Sequence, residues 1–128
     1  MLKPSQYVLR VGLGITFIWI GILVIQHPGM WGAYIDEWAM NLIKLVSFGI
    51  EIDAIMMVTG AFDIAVGLLI VFGRGNVLWL ASLFGGLHIA AVLATTGIDD
   101  VTVRDIGLMA ASFAIALEAW PQKLAKLR

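Results

Sequence analysis

The sequence predicts an all-α integral membrane protein: four transmembrane helices packed as one four-helix bundle, with an amphipathic extracytoplasmic helix between helices 1 and 2. Three observations predict it. Of 128 residues, 61% are hydrophobic and 13% charged, and the mean hydropathy is +0.97, which leaves too little polar surface for a soluble domain of this length. Four stretches, residues 7–26, 54–72, 77–96 and 103–120, are long and apolar enough to cross a bilayer. The basic residues are unevenly shared between the connections, as in membrane proteins of fixed orientation. The whole chain, 1–128, reads as a single membrane domain.

Lys3 and Arg10 precede the first apolar run in the manner of a leader. The run continues to Ile25 and is followed by Gln26-His27-Pro28-Gly29, not by a small-x-small cleavage site, so it is expected to remain as a first helix. In residues 31–46 the apolar side chains Trp31, Ile35, Trp38, Leu42 and Leu45 recur at helical spacing, with Asp36, Glu37, Asn41 and Lys44 on other faces. That spacing predicts an amphipathic helix lying on the outer surface or capping the bundle. A plain interfacial helix is preferred here over the lid of a site. Gly73-Arg74-Gly75-Asn76 predicts a tight hairpin between the second and third helices, with Asn76 as a cap. Residues 97–102 join the third and fourth.

With four spans, Lys3, Arg10, Arg74, Lys123, Lys126 and Arg128 share one side, and only Lys44 and Arg104 fall on the other. The positive-inside rule then puts both termini in the cytoplasm and most acids outside. Tyr7, Trp79 and Trp120 near one interface and Trp31, Tyr34 and Trp38 near the other agree with that frame. Small residues mark the expected packing faces: Ser82, Gly86, Ala90 and Ala94 on the third helix, Gly107, Ala111 and Ala110, Ala114 on the fourth, and more loosely Gly12, Thr16 and Gly60, Gly67.

Composition also excludes. Cysteine is absent, which removes disulfides, thiolate metal sites and covalent haem attachment. The net charge of −1 comes without a basic run, so no nucleic-acid partner is expected. No cofactor motif is intrinsic to the chain, and any redox role needs a bound cofactor or a partner.

The polar residues inside the spans carry the functional reading. Asp63 sits in the middle of the second span between apolar neighbours, where a carboxylate costs about 2.5–3.5 kcal/mol on insertion scales. It must be paired, protonated or facing a wet cavity. His88 lies at the same depth of about 12–14 Å on the next helix, counted from the outer ends at 1.5 Å per residue. Arg104 and Asp105 open the fourth span at the outer interface, and Glu51 and Asp53 precede the second at a similar level. Together they predict a polar cleft entered from outside, with Asp63 and His88 as its floor. Bland readings stand beside this one. The Asp63–His88 pair serves equally well to set helix register. Thr102-Val103-Arg104-Asp105 fits a capping box, and Asp53 fits an N-cap. Asp99-Asp100 reads as a solvated pair, and Glu118 reaches water or Lys123. A metal on Asp63, His88 and Glu51 is not expected, because no i, i+4 ligand pair supports it.

Residues 10–21, Arg-Val-Gly-Leu-Gly-Ile-Thr-Phe-Ile-Trp-Ile-Gly, resemble the first helix of the DoxX family. Residues 62–73, Phe-Asp-Ile-Ala-Val-Gly-Leu-Leu-Ile-Val-Phe-Gly, are similar to its second-helix pattern of an acidic residue, a glycine four positions on and an apolar run to a second glycine. Arg104-Asp105 opening an apolar last helix is similar as well. The likeness runs along nearly the whole chain in short, apolar motifs. It implies a small four-helix protein of the prokaryotic cytoplasmic (inner) membrane. Some relatives are subunits of thiosulfate:quinone oxidoreductase, others are tied to quinone or oxidative-stress responses, and many have no known activity. The acidic position maps onto Asp63, Asp here where Glu is usual. Val24 and Ile25 stand where relatives often carry a lysine, so no anion-binding role is carried over to that end.

Three functions compete at this point. The first is a membrane subunit of a redox complex that contacts quinone, with Asp63, His88 and Arg104 supplying hydrogen bonds and Trp19 or nearby aromatics stacking on the ring. The second is a non-catalytic membrane subunit that anchors a larger partner. The third is a binder or carrier of a small lipid-soluble molecule. The expected partners are the lipid bilayer, further copies of the chain or other membrane and redox subunits, and quinone.

Overall fold

The computed structural model describes residues 3–121, and no strand occurs among them. Six helices follow in order: α1 Pro4–Gln26, α2 Pro28–Gly32, α3 Glu37–Val46, α4 Ile52–Phe72, α5 Gly75–Thr96 and α6 Val103–Glu118. Three of them, α1, α4 and α5, are long and apolar enough to cross a membrane, with mean hydropathies of 2.3, 2.3 and 2.0. At 1.5 Å per residue they reach about 31–35 Å, the thickness of a hydrocarbon core. α6 has 16 residues, reaches only about 24 Å and does not meet that length. Its start is held back by the turn before it, and Pro121 follows shortly after its end.

The helices pack as two main pairs, α1 on α4 and α5 on α6. The first seam is built from facing glycines in antiparallel order. A Cβ on Gly21 would stand 2.5 Å from the Gly60 carbonyl oxygen, and one on Gly67 would stand 2.7 Å from that of Gly14. The backbones therefore touch at two points seven residues apart on each helix, the close approach that small residues permit in lipid. The second pair is joined by a buried hydrogen bond from the Ser112 hydroxyl to the Ser82 carbonyl at 2.7 Å. Between the pairs lies a core of Leu13, Phe17, Val66, Ile70, Leu78, Ile89 and Ile115.

These contacts correct part of the expected packing. Gly60, Gly67, Ser82 and Gly86 lie in the seams, but Gly12 and Gly107 face open space, and Ala110 and Ala114 are exposed. The partners of the α4 glycines are Gly14 and Gly21, and α6 packs through Ser112, Ile115 and Ala116.

The connections also differ in detail. Residues 31–46 do not form one helix: the chain turns at 33–36 between α2 and α3. In α3 only Ala39 is buried, while Trp38, Leu42 and Leu45 of the apolar stripe point away from the bundle. The α4–α5 hairpin is tighter than expected, because α5 begins at Gly75 with Arg74 as its N-cap and Asn76 lies inside the helix. Glu51, not Asp53, is the N-cap of α4, and Asp53 sits in the first turn, where its charge suits the helix dipole. The capping box at α6 does not form. The Thr102 hydroxyl accepts from the Asp99 amide at 2.9 Å and donates to the Gly97 carbonyl at 2.8 Å, leaving Asp105 to the Thr102 backbone carbonyl. Lys123, Lys126 and Arg128 lie outside the described residues.

Arg10 is the largest departure from expectation. Its charge and its place at the start of the first apolar run suggest an interfacial residue, yet it is buried. Its Nε donates to the Ile70 carbonyl at 2.7 Å, and Nη2 donates to those of Val71 at 2.9 Å and Gly73 at 2.6 Å. The last turn of α4 leaves carbonyls without helical partners. A guanidinium from α1 satisfies them, binding the two helices of the first pair at the end that leads into the α4–α5 turn.

Candidate functional site

Opposite the Arg10 end, the helices part around a cavity of about 280 Å³ with a predominantly apolar lining. α1 turns Phe17, Ile20 and Val24 toward it, α4 contributes Met56 and Asp63, and α5 contributes His88 and Ile89. Trp31 of α2, Tyr34 and Ile35 of the following turn, and Ile43 of α3 close it from above. The roof is tied down by a backbone hydrogen bond from the Asp36 amide to the Thr95 carbonyl at 2.7 Å. Gly32 is buried, and a Cβ there would lie 3.6 Å from Ile52 and Met56, so α2 rests directly on α4. Part of the segment expected to be a plain interfacial helix thus covers the cavity.

Asp63 and His88 meet in this cavity. Asp63 is only 5% exposed, and its Oδ1 lies 3.1 Å from His88 Nε2. The contact is an electrostatic one: Oδ1 makes no aligned hydrogen bond. The His88 ring stands edge-on to Phe62, with centroids 5.1 Å apart and planes at 62°. One turn earlier, Gly85 lets α5 pass close to three helices at once, since a Cβ there would be 3.0 Å from Val66, 3.1 Å from Phe17 and 3.1 Å from the Ser112 hydroxyl. That close passage brings His88 within reach of α4. Matched depth on adjacent helices was enough to anticipate the pair; the small residue that makes it close was not singled out.

The other candidates divide. Arg104 and Asp105 both border the cavity. Arg104 does not reach down to the pair, because its Nε donates to the Val101 carbonyl at 3.2 Å and the side chain stays exposed. Glu51 is outside, bordering a separate smaller cavity with Lys44 between α3 and the start of α4. Trp19 does not line the cavity and is 66% exposed. At about 100° per residue it points away from Phe17, Ile20 and Val24, so stacking on a ligand held in this cavity is excluded for it.

Two features escaped the sequence reading. Trp31 lines the roof, and its indole N–H is buried without a hydrogen-bond partner. Its place on the amphipathic stripe was the only signal for it. Five threonines, Thr16, Thr59, Thr95, Thr96 and Thr102, border the cavity, and nothing in their spacing marks them as a set. In the turn that carries Thr102, the Asp99 carboxylate accepts from the amides of Thr102 and Val101, each at 2.8 Å. The Thr102 amide, then that of Val101, hold its pKa below the ordinary 3.8, because hydrogen bonds to the charged form favour it.

Among the described residues, no three His, Asp or Glu side chains gather closely enough to hold a metal ion. Comparison of the chain with family models, with curated proteins and with solved structures finds no match.

Proposed function

We propose that this chain is a four-span subunit of a redox complex in a prokaryotic inner membrane, and that it holds a quinone-type ring in the roofed cavity. One observation carries the proposal: a buried, paired carboxyl and imidazole at the floor of an otherwise apolar cavity. An intramembrane ionisable residue facing a cavity is a functional-site signature, and apolar pockets with a few convergent polar groups are the usual form of small-molecule sites. At about 280 Å³ the cavity falls just below the usual range of about 300–1,000 Å³ for such pockets, and suits a single ring. Asp63 and His88 can hold a proton and exchange it with a ring oxygen. In this reading the electrons come from a partner subunit, because the sequence carries no cofactor motif. The resemblance to the DoxX pattern around Asp63 supports the same reading.

In this reading α6 is the fourth span. Its shortfall in length recesses its outer end, and Arg104 snorkels from there to the outer surface. The termini are cytoplasmic, and the roof is extracytoplasmic, with Trp38, Leu42 and Leu45 of α3 dipping into the headgroup layer. The non-catalytic anchor and the simple carrier remain the rival readings.

The test is Asp63→Asn, with ring binding and stability in detergent measured side by side. The proposal expects membrane insertion and folding to survive while binding of a short-chain quinone or electron transfer is lost. A loss of stability alone, with binding intact, would make the pair a structural device. A variant unchanged in both would remove Asp63 from the site.

A further inference from the structure

The polar lining of the cavity has a bias that a quinone reading by itself does not explain. Each of its five threonines has one hydroxyl proton, and each donates it to backbone. Thr16 bonds the Gly12 carbonyl, Thr59 that of Ile55, Thr95 that of Ala91, Thr96 that of Val92 and Thr102 that of Gly97, at 2.8–3.0 Å. What these hydroxyls still offer the cavity is lone pairs. Asp63 and Asp105 add carboxyl oxygens. Donors are few. Those there are lie at the rim and roof, away from the floor: Arg104 bonds Val101 through Nε and keeps its other N–H groups on an exposed side chain, and Tyr34 is 40% exposed at the roof. The buried donor is the unpartnered indole N–H of Trp31.

A quinone has two carbonyl oxygens and no donor. Against this lining it would leave the floor acceptors unsatisfied, which costs more than an unmade favourable contact. A hydroxyl on the same ring donates to a floor acceptor and can still accept from a donor at the roof. We propose that the cavity selects the hydroxyl-bearing form of its ring ligand, a hydroquinone or related phenol, over the quinone. This rests on the ring-binding function proposed above and adds the chemical class and redox state of the ligand. It concerns binding alone, and no electron or proton leaves the ligand in it.

The test compares three probes of one size on the detergent-solubilised wild-type chain, without oxygen, by isothermal titration calorimetry: tetramethylhydroquinone, its dimethyl ether and tetramethylbenzoquinone. The hydroquinone is expected to bind about tenfold tighter than either of the others, the worth of one hydrogen bond. Equal affinity for all three, or a preference for the quinone, overturns the selection and leaves ring binding standing. Binding of none of the three overturns both. Asp63→Asn replaces one acceptor oxygen with an amide donor of similar shape. If that variant folds, the hydroquinone advantage is expected to shrink at least severalfold, and an unchanged advantage would take Asp63 out of the selection.

Discussion

Replacing Gly60 with alanine should open the α1/α4 seam. The added Cβ would stand 2.7 Å from the Gly21 carbonyl oxygen and 2.8 Å from Ile25 Cγ1. A relaxed carbon–oxygen contact lies at about 3.3 Å or more, so the helices must part by roughly 0.6 Å. The obstructing oxygen belongs to backbone and cannot turn aside as a side chain can. A gap of that size forfeits a quarter or more of the dispersion energy along the seam, and overpacking of this kind costs about 1–3 kcal/mol. Alanine returns about 0.8–1 kcal/mol of helix propensity. Gly12 on α1 is the control, since a Cβ there meets nothing within 4 Å and alanine collects only the propensity gain. The two variants should therefore differ by the clash itself, about 1–3 kcal/mol, with Gly60→Ala the less stable. Unfolding by titration with a denaturing detergent, followed through tryptophan emission, reads the difference. Equal midpoints for the two variants would refute the seam.

Three further outcomes follow from other contacts. Arg10→Met keeps much of the apolar stem but removes the donors to Ile70, Val71 and Gly73, and should cost about 2–4 kcal/mol in the same titration; an unchanged midpoint would show that water serves those carbonyls equally well. Folding holds the Asp99 carboxyl below 3.8, so its contribution is whole above that value and fades as pH falls below it; Asp99→Asn keeps an acceptor and should flatten the acid limb of the stability profile, whereas an identical limb would dismiss the turn. Cysteines at Asn76 and Asp100, both exposed, test the proposed orientation: an impermeant thiol reagent added to intact cells should label the Asp100 site and spare the Asn76 site, and the reverse pattern would invert the topology.

Asp63 and His88 were legible because their chemistry is conspicuous against an apolar background and because depth in a helix follows from counting residues. Trp19 and Glu51 show where that method stops. Both sit at suitable depths, yet one faces outward and the other lies beyond the cavity wall. Depth is a coordinate along the helix, and neither the facing direction nor the lateral position can be counted from it. Thr102 shows the same limit at shorter range. Its capping motif is present in the residues, but Asp99 and Gly97 compete for its hydroxyl and hold it.

The sequence alone determined that the chain is helical and apolar enough for lipid, roughly where its long helices run, and which two intramembrane polar residues share a level. Those properties depend on composition and on a fixed rise per residue. Only the tertiary structure decided which faces meet: Gly14 and Gly21 against Gly67 and Gly60, Arg10 on the carbonyls ending α4, and Trp31 over the cavity instead of out in the interface. The physical reason is that α1, α4 and α5 are apolar nearly all round. In water, an amphipathic stripe would announce the buried face of a helix, but lipid wets the outward face as readily as a neighbouring helix packs the inward one. The choice between faces falls to close backbone approach and to the few polar groups that need partners, and both are properties of helices already assembled.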